Sequence, residues 1–475
     1  MRTDKPREEC GVFGIYSPAR DDVASYAYYA LMSLQHRGQE SCGIAVNDQG
    51  VISCYKDAGL VNDVMTRQEL DALGPGNMAV AHVRYATMGA EPRRNAQPLV
   101  VNHVKGTMAL CHNGALSNAP TLREELELRG SIFHTTSDTE VISYLITQER
   151  LNAPSIEAAV SRVMQRLEGA YSLVIMSPAK LMAARDPHGF RPLCIGKLGE
   201  SWVFASESCA LDAIGAHFVR DVEPGEIVMV DKGGMVSLKD HVGTSPKTTC
   251  VFEYIYFARP DSMIDGSSVH VARLRAGAFL ALEHPVQADV VIGVPDSGLD
   301  AAVGYARQSG IPYGIGFIKN KYIARTFIQP SQADRENKVR IKLNPVSAAV
   351  RGKRVVLIDD SIVRGTTSAH IVRLLRDAGA TEVHMRVSAP PFMHPCYFGT
   401  DIDSREHLIA CQHSIDEIRE IIGADSIGYL STDSVTKLAD NTKGFCTACF
   451  TGDYPCKPPE NSGKSKFESK IREDA

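Results

Sequence analysis

The stretch Val355–Thr367 constrains the fold more than any other part of the chain. Its first four residues, Val355–Ile358, are all apolar, which is typical of a parallel strand that helices cover on both faces. The residues after them, Asp359–Ser361 and Gly365–Thr367, are too polar and too small to continue such a strand. An apolar strand that ends in two acids and a small-residue turn predicts an open α/β sheet with a ligand at its carboxyl edge.

The turn after this strand has the chemistry of an anion site. Backbone N–H groups and hydroxyls from Arg364 to Ser368 can surround a phosphate at the start of the following helix, where the helix dipole favours negative charge. Asp359 and Asp360 suit the other end of such a ligand, as partners of hydroxyl groups or of Mg²⁺. An isolated Asp-Asp-Ser sequence could equally be a helix cap, but the complete pattern favours a binding loop. The sequence contains no Walker A motif, the main competing phosphate motif.

This pattern resembles the phosphoribosyl diphosphate (PRPP) loop of the type I phosphoribosyltransferases. The resemblance implies that Val294–Gly298, which follows another apolar strand, faces the pyrophosphate, although those residues alone equally predict a β-turn before a helix. It also implies that Ser297, Asp359 and Asp360 hold Mg²⁺. The PRPP-binding residues implied in the main loop are Asp359, Asp360, Ser361, Arg364, Gly365, Thr366 and Thr367.

A local basic segment stands out from the overall charge. With 51 Lys and Arg against 56 Asp and Glu, the net charge of −5 offers no general attraction for nucleic acid or membranes. The segment Lys319–Lys342 instead carries seven Lys or Arg residues and two acids. We expect a mobile loop beside the phosphate site, in which Lys319, Lys321 and Arg325 close over the pyrophosphate and exclude water.

Two different textures divide the chain. Before residue 240, many short apolar or alternating runs, such as Gly11–Tyr16 and Met78–Val83, predict strands, and helical periodicity appears at Val23–Leu34 and Asp138–Ile146. This mixture predicts stacked sheets flanked by helices. After residue 250, alternation of strands and helices predicts a parallel α/β domain. The strands predicted there are Val290–Val294, Ile311–Ile318, Val355–Ile358 and Glu382–Val387, and the helices are Ala301–Ser309 and Ser368–Ala378.

These textures predict a two-domain α/β protein. The expected domains are residues 10–240 and 250–456, joined by a polar stretch at 232–249 and followed by a charged, disordered tail at 457–475. No run of about 18 apolar residues is present, and the N-terminus is too polar for a signal peptide. We therefore expect a cytoplasmic protein without a membrane anchor.

The first domain carries a second set of chemical motifs, which begins with a cysteine just before a predicted strand. A lone free cysteine is more often a core residue, but Cys10 has companions at His36–Gly43, His82–Thr87, Cys111–Ala115 and Ser137–Glu140. The set resembles the N-terminal-nucleophile glutamine amidotransferases, whose fold is an αββα sandwich. Hydrolysis of a side-chain amide needs a nucleophile, a base that later protonates ammonia, and donors for the oxyanion.

The resemblance implies a role for each residue of this second site. Cys10 is the nucleophile, Asn113 and the N–H of Gly114 form the oxyanion hole, Arg84 binds the glutamine carboxylate and Asp138 binds its ammonium group. The base in this family is the α-amine of the nucleophile itself. A thiol pKa of about 8.5 and an amine pKa of about 7.7–8.0 are close enough for proton exchange near neutral pH.

That mechanism requires an N-terminal amine on Cys10. Residues 1–9 precede it, so the resemblance implies that Met1–Glu9 is a propeptide removed from the mature protein. An ordinary unprocessed polar tail is the alternative.

The cysteine pattern predicts a third site. Twelve cysteines scattered over 475 residues do not resemble the disulfide framework of a small secreted domain. Cys446 and Cys449 form a C-x2-C pair, and four thiolates suit zinc or an iron–sulfur cluster, between which spacing does not decide. Cys411 and Cys456 are alternative ligands. One subgroup of the amidotransferases that use PRPP carries a [4Fe–4S] cluster and a propeptide, and its ligand motifs correspond here to Cys250, Cys396, Cys446 and Cys449.

From Cys10 to Cys456 the chain resembles the glutamine PRPP amidotransferases. The resemblance implies that ammonia from glutamine displaces pyrophosphate from C1 of PRPP to give 5-phosphoribosylamine, the opening step of purine synthesis. It also implies one Mg²⁺ and one cluster per subunit, inhibition by purine nucleotides, and a homotetramer.

Two other functions use only half of these motifs. A related glutaminase, such as glucosamine-6-phosphate or asparagine synthetase, would not need Val355–Thr367. A PRPP-binding regulator would need neither Cys10 nor Asn113, and no helix-turn-helix segment or basic domain indicates DNA binding.

Overall fold

The computed structural model describes residues 10–85, 93–320, 343–400, 402, 404–440 and 444–459. The first part of the chain forms two antiparallel sheets with helices outside them. Its strands are β1 (Gly11–Asp21), β2 (Ser41–Asp48), β3 (Val51–Ala58), β4 (Gly76–Arg84), β5 (Leu99–His103), β6 (Gly106–Leu116), β7 (Gly169–Met176), β8 (Leu181–Arg185), β9 (Cys194–Leu198), β10 (Ser201–Ala205), β11 (His217–Asp221), β12 (Ile227–Asp231) and β13 (Gly234–Leu238). Its helices are α1 (Val23–Leu34), α2 (Val61–Val64), α3 (Arg67–Leu73), α4 (Ala119–Leu128), α5 (Asp138–Asn152), α6 (Ile156–Met164) and α7 (Ser208–Ala213).

The two sheets pack face to face and make an αββα sandwich. One sheet has the strand order β11-β9-β10-β1-β4-β2-β3 and the other has the order β13-β12-β8-β7-β6-β5. Apolar side chains from both sheets, among them Val12, Phe204, Ala109 and Val174, fill the layer between them. Gly14 allows the sheets to approach closely, because a Cβ there would lie 2.6 Å from Val174 Cγ1. The outer faces are covered by α1 and α7 on one side and by α4, α5 and α6 on the other.

The second part of the chain is built on a parallel sheet. Its strands are β14 (Thr249–Cys250), β15 (Met263–Ile264), β16 (Ser267–Ser268), β17 (Val290–Gly293), β18 (Phe317–Lys319), β19 (Leu343–Pro345), β20 (Arg354–Asp359), β21 (Glu382–Val387), β22 (Ser426–Tyr429) and β23 (Phe445–Cys446). Its α-helices are α8 (Val269–Glu283), α9 (Leu299–Ser309), α10 (Ser347–Val350), α11 (Thr366–Asp377), α12 (Ile409–Gln412), α13 (Ile415–Ile422), α14 (Thr432–Val435) and α15 (Ala448–Thr451). The central sheet has the order β17-β20-β21-β22, and every pair in it is parallel. The predicted α/β class is therefore confirmed.

Helix α8 was not predicted from the sequence. It packs against α9 through glycines rather than through a stripe of large apolar side chains. A Cβ on Gly277 would lie 1.8 Å from the Ala301 carbonyl oxygen, and one on Gly304 would lie 1.9 Å from that of Leu274. Because the contact surface is made of small residues, the usual helical pattern of large hydrophobic residues is missing.

The strand predicted over Ile311–Ile318 is wrong for most of its length. Only β18 pairs there, with β19, and Tyr313 forms a single bridge with Val291. Ile315 remains 61% exposed, so the apolar residues of this run do not contribute to the sheet's core.

Helix α11 begins at Thr366, two residues before the predicted start, because Gly365 adopts φ +82° and serves as its N-cap. Among the described helices, none has the length and apolarity to cross a membrane.

Candidate functional site

Cys10 lies at the start of β1, beside the end of β4. Gly11, the next residue, pairs with Val83 in the antiparallel register of these strands. The Cys10 thiol is partly buried and lies 3.8 Å from the carbonyl oxygen of Tyr85. The Nε of Arg37 donates a hydrogen bond of 3.0 Å to the Cys10 carbonyl oxygen. The main chain of the predicted nucleophile is thus held by a buried cation that the sequence did not single out.

Arg84 closes the same end of the sheet. It is the last residue of β4, it is buried, and it pairs with Ser41 of β2. Its NH1 group donates to Glu40 Oε2 at 3.2 Å. The predicted carboxylate-binding arginine therefore already has a carboxylate partner within the protein, which shows that its guanidinium reaches acidic groups at this edge.

Asn113 and Gly114 are consecutive residues of β6, where Asn113 is buried and the backbone conformation of Gly114 requires glycine. In the described part of the chain, neither Nδ2 nor Oδ1 of Asn113 has a hydrogen-bond partner, although both are buried. Such an amide is costly to leave unpaired, so it marks a place where a ligand's polar group would be stabilised. Gly114 has φ +133°, and a Cβ there would lie 2.2 Å from the Ala170 carbonyl oxygen, so glycine is required.

Asp138 contacts His112, the residue directly before Asn113. It begins α5, where its Oδ2 accepts a 3.0 Å hydrogen bond from the Leu116 N–H, and its Oδ1 lies 3.4 Å from His112 Nδ1. Desolvation opposes ionisation of Asp138, but His112 and the backbone N–H groups outweigh it and lower its pKa. Asp138 is therefore an anion, as an ammonium-binding residue should be.

Two histidines that the sequence analysis left without a role connect the site's elements. The Nε2 of His82 on β4 lies 3.0 Å from the carbonyl oxygen of His112 on β6. Desolvation lowers the pKa of His82 to about 3, so its ring is neutral and its Nε2 is the donor in this bond. Arg84 stands two residues after His82, and Asn113 directly follows His112. These contacts join β4, which carries Arg84, to β6, which carries Asn113, and join β6 to Asp138 at the start of α5.

The second site lies where β20 ends in the parallel sheet. Asp359, Asp360 and Ser361 are all buried. The N–H of Asp360 donates to Asp359 Oδ1 at 3.0 Å, and the Ser361 hydroxyl donates to Asp360 Oδ1 at 2.7 Å. The remaining loop residues, Arg364, Gly365, Thr366 and Thr367, follow directly and lead into α11. This loop therefore lies at the carboxyl edge of the sheet, as predicted.

The loop Val294–Gly298 adjoins the two acids. The Val294 N–H donates to the Ile358 carbonyl oxygen at 2.9 Å, and the Ser297 hydroxyl donates to the second carboxylate oxygen of Asp360. The three predicted Mg²⁺ ligands, Ser297, Asp359 and Asp360, are thus neighbours in space.

Of the three basic residues that were predicted to close over the pyrophosphate, Lys319 is described by the structure. It forms an ion pair with Asp296 in the adjoining turn. Lys321 and Arg325 lie outside the described residues.

Four cysteines line one cavity of about 20 Å³, which Phe190 and Arg191 of the first part of the chain also line. Cys250 on β14 and Cys446 on β23 are paired residues of adjacent parallel strands, which explains how cysteines distant in sequence meet. The other two are Cys396 and Cys449, while the alternatives Cys411 and Cys456 do not line it. In the ranges that the structure describes, no three His, Cys, Asp or Glu side chains form a group that could hold a metal ion.

Electrostatics keeps two thiols of this cavity, those of Cys446 and Cys449, protonated. Burial raises the pKa of Cys446 and Cys449 well above the usual value, and the neighbouring cysteines of the set raise it further. A cationic centre would reverse that preference, because coordination deprotonates a thiol outright.

Two family models match the chain in succession. A glutamine amidotransferase domain matches residues 82–213, and a phosphoribosyl transferase domain matches residues 269–401.

Curated relatives and solved structures match nearly the whole chain. The amidophosphoribosyltransferase of Bacillus subtilis is 49% identical over 454 residues, covering 94% of this chain and 94% of the relative. The solved structure of glutamine PRPP amidotransferase from B. subtilis, complexed with ADP and GMP, matches with a TM-score of 0.88 at 48% identity and covers 95% of this chain and 98% of that one. A structure described as the allosteric regulatory enzyme of purine biosynthesis matches with a TM-score of 0.90 at 47% identity, covering 97% and 99%.

Proposed function

The chain belongs to the amidophosphoribosyltransferases, and we propose that it joins glutamine hydrolysis at Cys10 to attack of ammonia on PRPP beside Asp359 and Asp360. The overall reaction converts glutamine, PRPP and water into 5-phosphoribosylamine, glutamate and pyrophosphate. The observation that carries this conclusion is that one chain holds both a glutaminase edge and a phosphoribosyl loop. A related glutaminase with another acceptor would leave the second site unexplained, and a regulator would leave the first unexplained.

The glutaminase half follows from the groups around Cys10. Its thiolate attacks the side-chain amide carbon of glutamine, and the resulting oxyanion takes hydrogen bonds from Asn113 Nδ2 and the Gly114 N–H. The α-amine of Cys10 carries the thiol proton to the leaving nitrogen, so ammonia departs and a thioester remains. Water then hydrolyses the thioester to glutamate and restores the thiol. Arg84 holds the α-carboxylate of glutamine, and Asp138 holds its α-ammonium group.

This mechanism needs the propeptide to be removed. Met1–Glu9 lies outside the described residues, and its removal is proposed from the need for a free amine on Cys10. The intact mass of active protein tests it: a chain that begins at Cys10 agrees, and full activity in a chain that keeps residues 1–9 contradicts the amine mechanism.

The transferase half is mainly a matter of positioning and charge. The N–H groups and hydroxyls of the loop Arg364–Thr367 bind the 5-phosphate, and Asp359 and Asp360 face the ribose and diphosphate. Mg²⁺ held by Ser297, Asp359 and Asp360 would neutralise charge on the leaving pyrophosphate. Lys319 would contact the same end of the ligand, since its ion pair with Asp296 places it beside this loop.

Isotope transfer tests the joined reaction. With glutamine labelled with ¹⁵N in its side-chain amide, the amine nitrogen of the product should carry ¹⁵N as long as Cys10 is intact. A product whose nitrogen comes only from ammonium in the medium would contradict the proposal.

Substitution of Asn113 by alanine is expected to lower the glutamine-supported kcat by about 10²–10³-fold, the usual effect of removing one oxyanion donor. The physical reason is that its buried amide has no other partner in the described structure. Turnover with ammonia in place of glutamine should stay within about twofold, because the second site is untouched. Steady-state rates with each nitrogen source measure the effect, and equal losses with both sources would contradict the assignment. Asn118→Ala is the matched control, because the Asn118 side chain, just before α4, is partly buried and bonds main-chain groups of Arg166 and Glu168.

We also propose that Cys250, Cys396, Cys446 and Cys449 hold a [4Fe–4S] cluster. A cluster binds each thiolate to a different iron, so its ligands surround it. In the described structure four cysteines line one cavity, but no three of them form a group that could hold one metal ion. This arrangement supports a cluster over a single zinc ion, which would draw all four sulfurs to about 2.3 Å from one point. Once bound, the cluster would tie β14, β23 and the segment around Cys396 together.

The cluster predicts a colour and a stability effect. Protein purified without oxygen should be brown and contain about four iron and four sulfide per chain, by iron and sulfide analysis. The Cys446→Ser variant should lose both and unfold at a lower temperature, because a metal site formed only in the folded state contributes to folding. Cys456→Ser, outside the cavity lining, should keep the cluster. A colourless protein with one tightly bound zinc would contradict the proposal.

Further expectations come from the relatives. One relative was solved with ADP and GMP, and another is named as an allosteric enzyme of purine biosynthesis. We propose that this chain opens purine synthesis in the cytoplasm as a homotetramer that purine nucleotides inhibit.

A further inference from the structure

A buried ion network joins the two parts of the chain behind Cys10. Arg37 lies in the turn after α1, Glu207 precedes α7, and Glu253 begins a π-helical turn in the second part of the chain. All three side chains are fully buried. We propose that Glu253 is a positioning residue for glutamine hydrolysis, acting on the nucleophile through Arg37. The inference rests on the proposed role of Cys10.

The geometry of Arg37 carries this proposal. Its NH2 donates to Glu253 Oε1 at 2.8 Å and its NH1 donates to Glu253 Oε2 at 2.9 Å, so the carboxylate grips the guanidinium at two points. The NH1 also donates to Glu207 Oε1 at 2.7 Å. A planar guanidinium held by two carboxylates has a fixed orientation, and its Nε is then aimed at the Cys10 carbonyl oxygen, 3.0 Å away.

This contact matters more at a chain terminus than within a chain. Once residues 1–9 are removed, no preceding peptide restrains Cys10, and its position depends on β1 and on what holds its carbonyl group. The thiol and the α-amine both branch from the same Cα. A shift of the carbonyl therefore moves the nucleophile and its base together, and small misplacements of reacting groups cost large factors in rate.

Glu253 is the member of the network that belongs to the second part of the chain. Glu207 has other partners close by: it accepts a 2.8 Å bond from His36 and a 2.7 Å bond from the Ser262 hydroxyl. Glu253 has Arg191 as its second cation, at 3.3 Å. Arg191 in turn donates to the Phe398 carbonyl oxygen at 2.7 Å, beside the cysteine cavity. This series of hydrogen bonds thus connects the main chain of the nucleophile to the transferase part.

The chain offers a matched control for this contact. Asp265, also in the second part of the chain, receives a two-point contact from Arg185 of β8, at 2.8 and 3.1 Å, and both side chains are buried. The other described partners of Arg185 are the carbonyl groups of Arg191, Val222 and Gly189, and not Cys10. Asp265 has φ +48°, a conformation that asparagine tolerates.

The test compares Glu253→Gln with Asp265→Asn, using the full processed chain. The readouts are kcat/KM for glutamine, the PRPP turnover with ammonia, and the rate at which iodoacetamide alkylates Cys10. We expect Glu253→Gln to lower glutamine kcat/KM and Cys10 alkylation by about tenfold or more, with ammonia-supported turnover changed less than twofold. Asp265→Asn should leave the ratio of glutamine-supported to ammonia-supported turnover unchanged.

Removing one buried charge can also prevent folding. If the single variant is insoluble, the ratio of glutamine-supported to ammonia-supported turnover is measured in the double variant Glu253→Gln with Arg191→Gln. This variant loses one negative and one positive charge, so the net charge of the network is unchanged. An unchanged ratio in the Glu253 variants, or an equal change in Asp265→Asn, would overturn the positioning role. Those results would leave the proposed function intact, because its own tests, such as glutamine use by a Cys10 variant, do not depend on Glu253.

Discussion

Replacing Cys10 with serine is expected to remove glutamine-supported turnover and to leave ammonia-supported turnover of PRPP within about twofold of the starting value. The loss should be on the order of 10⁴-fold or more, because the serine hydroxyl is a far weaker nucleophile near neutral pH than the thiolate that it replaces. The second site keeps its residues, since the loop after β20 lies on a separate sheet.

Rates of pyrophosphate release with each nitrogen source measure this effect. Cys54→Ser is the control, because Cys54 is an exposed thiol on β3. Glutamine use that survives Cys10→Ser would contradict the assignment of the nucleophile. A parallel loss of ammonia-supported turnover would instead mean that the substitution disturbs the whole protein.

The second large effect is expected when both acids after β20 are changed, in the variant Asp359→Asn with Asp360→Asn. Turnover of PRPP should fall about 10³-fold or more with either nitrogen source, because the charges that face the ribose and Mg²⁺ are gone while side-chain volume is kept. Part of the glutaminase activity should remain, since Cys10 and its neighbours lie on the other sheets.

The control for this variant lies at the opposite edge of the same sheet. Asp289, just before β17, is exposed and bonds Arg354 at the start of β20. Asp289→Asn should leave PRPP turnover nearly unchanged. Thermal unfolding of both variants separates the two explanations: an Asp359 and Asp360 variant that fails to fold would show these buried acids to be structural.

The sequence predicted the parts of the molecule that short segments encode. The apolar strand before Asp359 and the small residues after it determine a buried strand and a turn within a few residues, so the loop's place at the sheet's edge is confirmed. The stacked sheets of the first part were also predictable, because a short apolar run such as Gly11–Tyr16 suits a strand that is buried on both faces. Val12 packs between the two sheets, and Phe13 packs under the helices.

Other features depend on residues that are far apart. Arg37 and Glu253 are 216 positions apart, and nothing in either local sequence shows that two charged residues will be buried together. The same holds for the bond between His82 and His112, which joins the strands that carry Arg84 and Asn113. Helix α8 was missed because glycine-mediated packing leaves no apolar pattern, and the strand over Ile311–Ile318 was overestimated because apolar residues can remain on a surface.

The two sites are proposed to work on one reaction. The most direct test is glutamate and pyrophosphate release from processed protein purified without oxygen, with glutamine, PRPP and Mg²⁺ present together and each omitted in turn. Both products should appear in near one-to-one ratio, and omitting PRPP should strongly reduce glutamate release. Glutamate release that is indifferent to PRPP, with no pyrophosphate formed, would contradict the proposal.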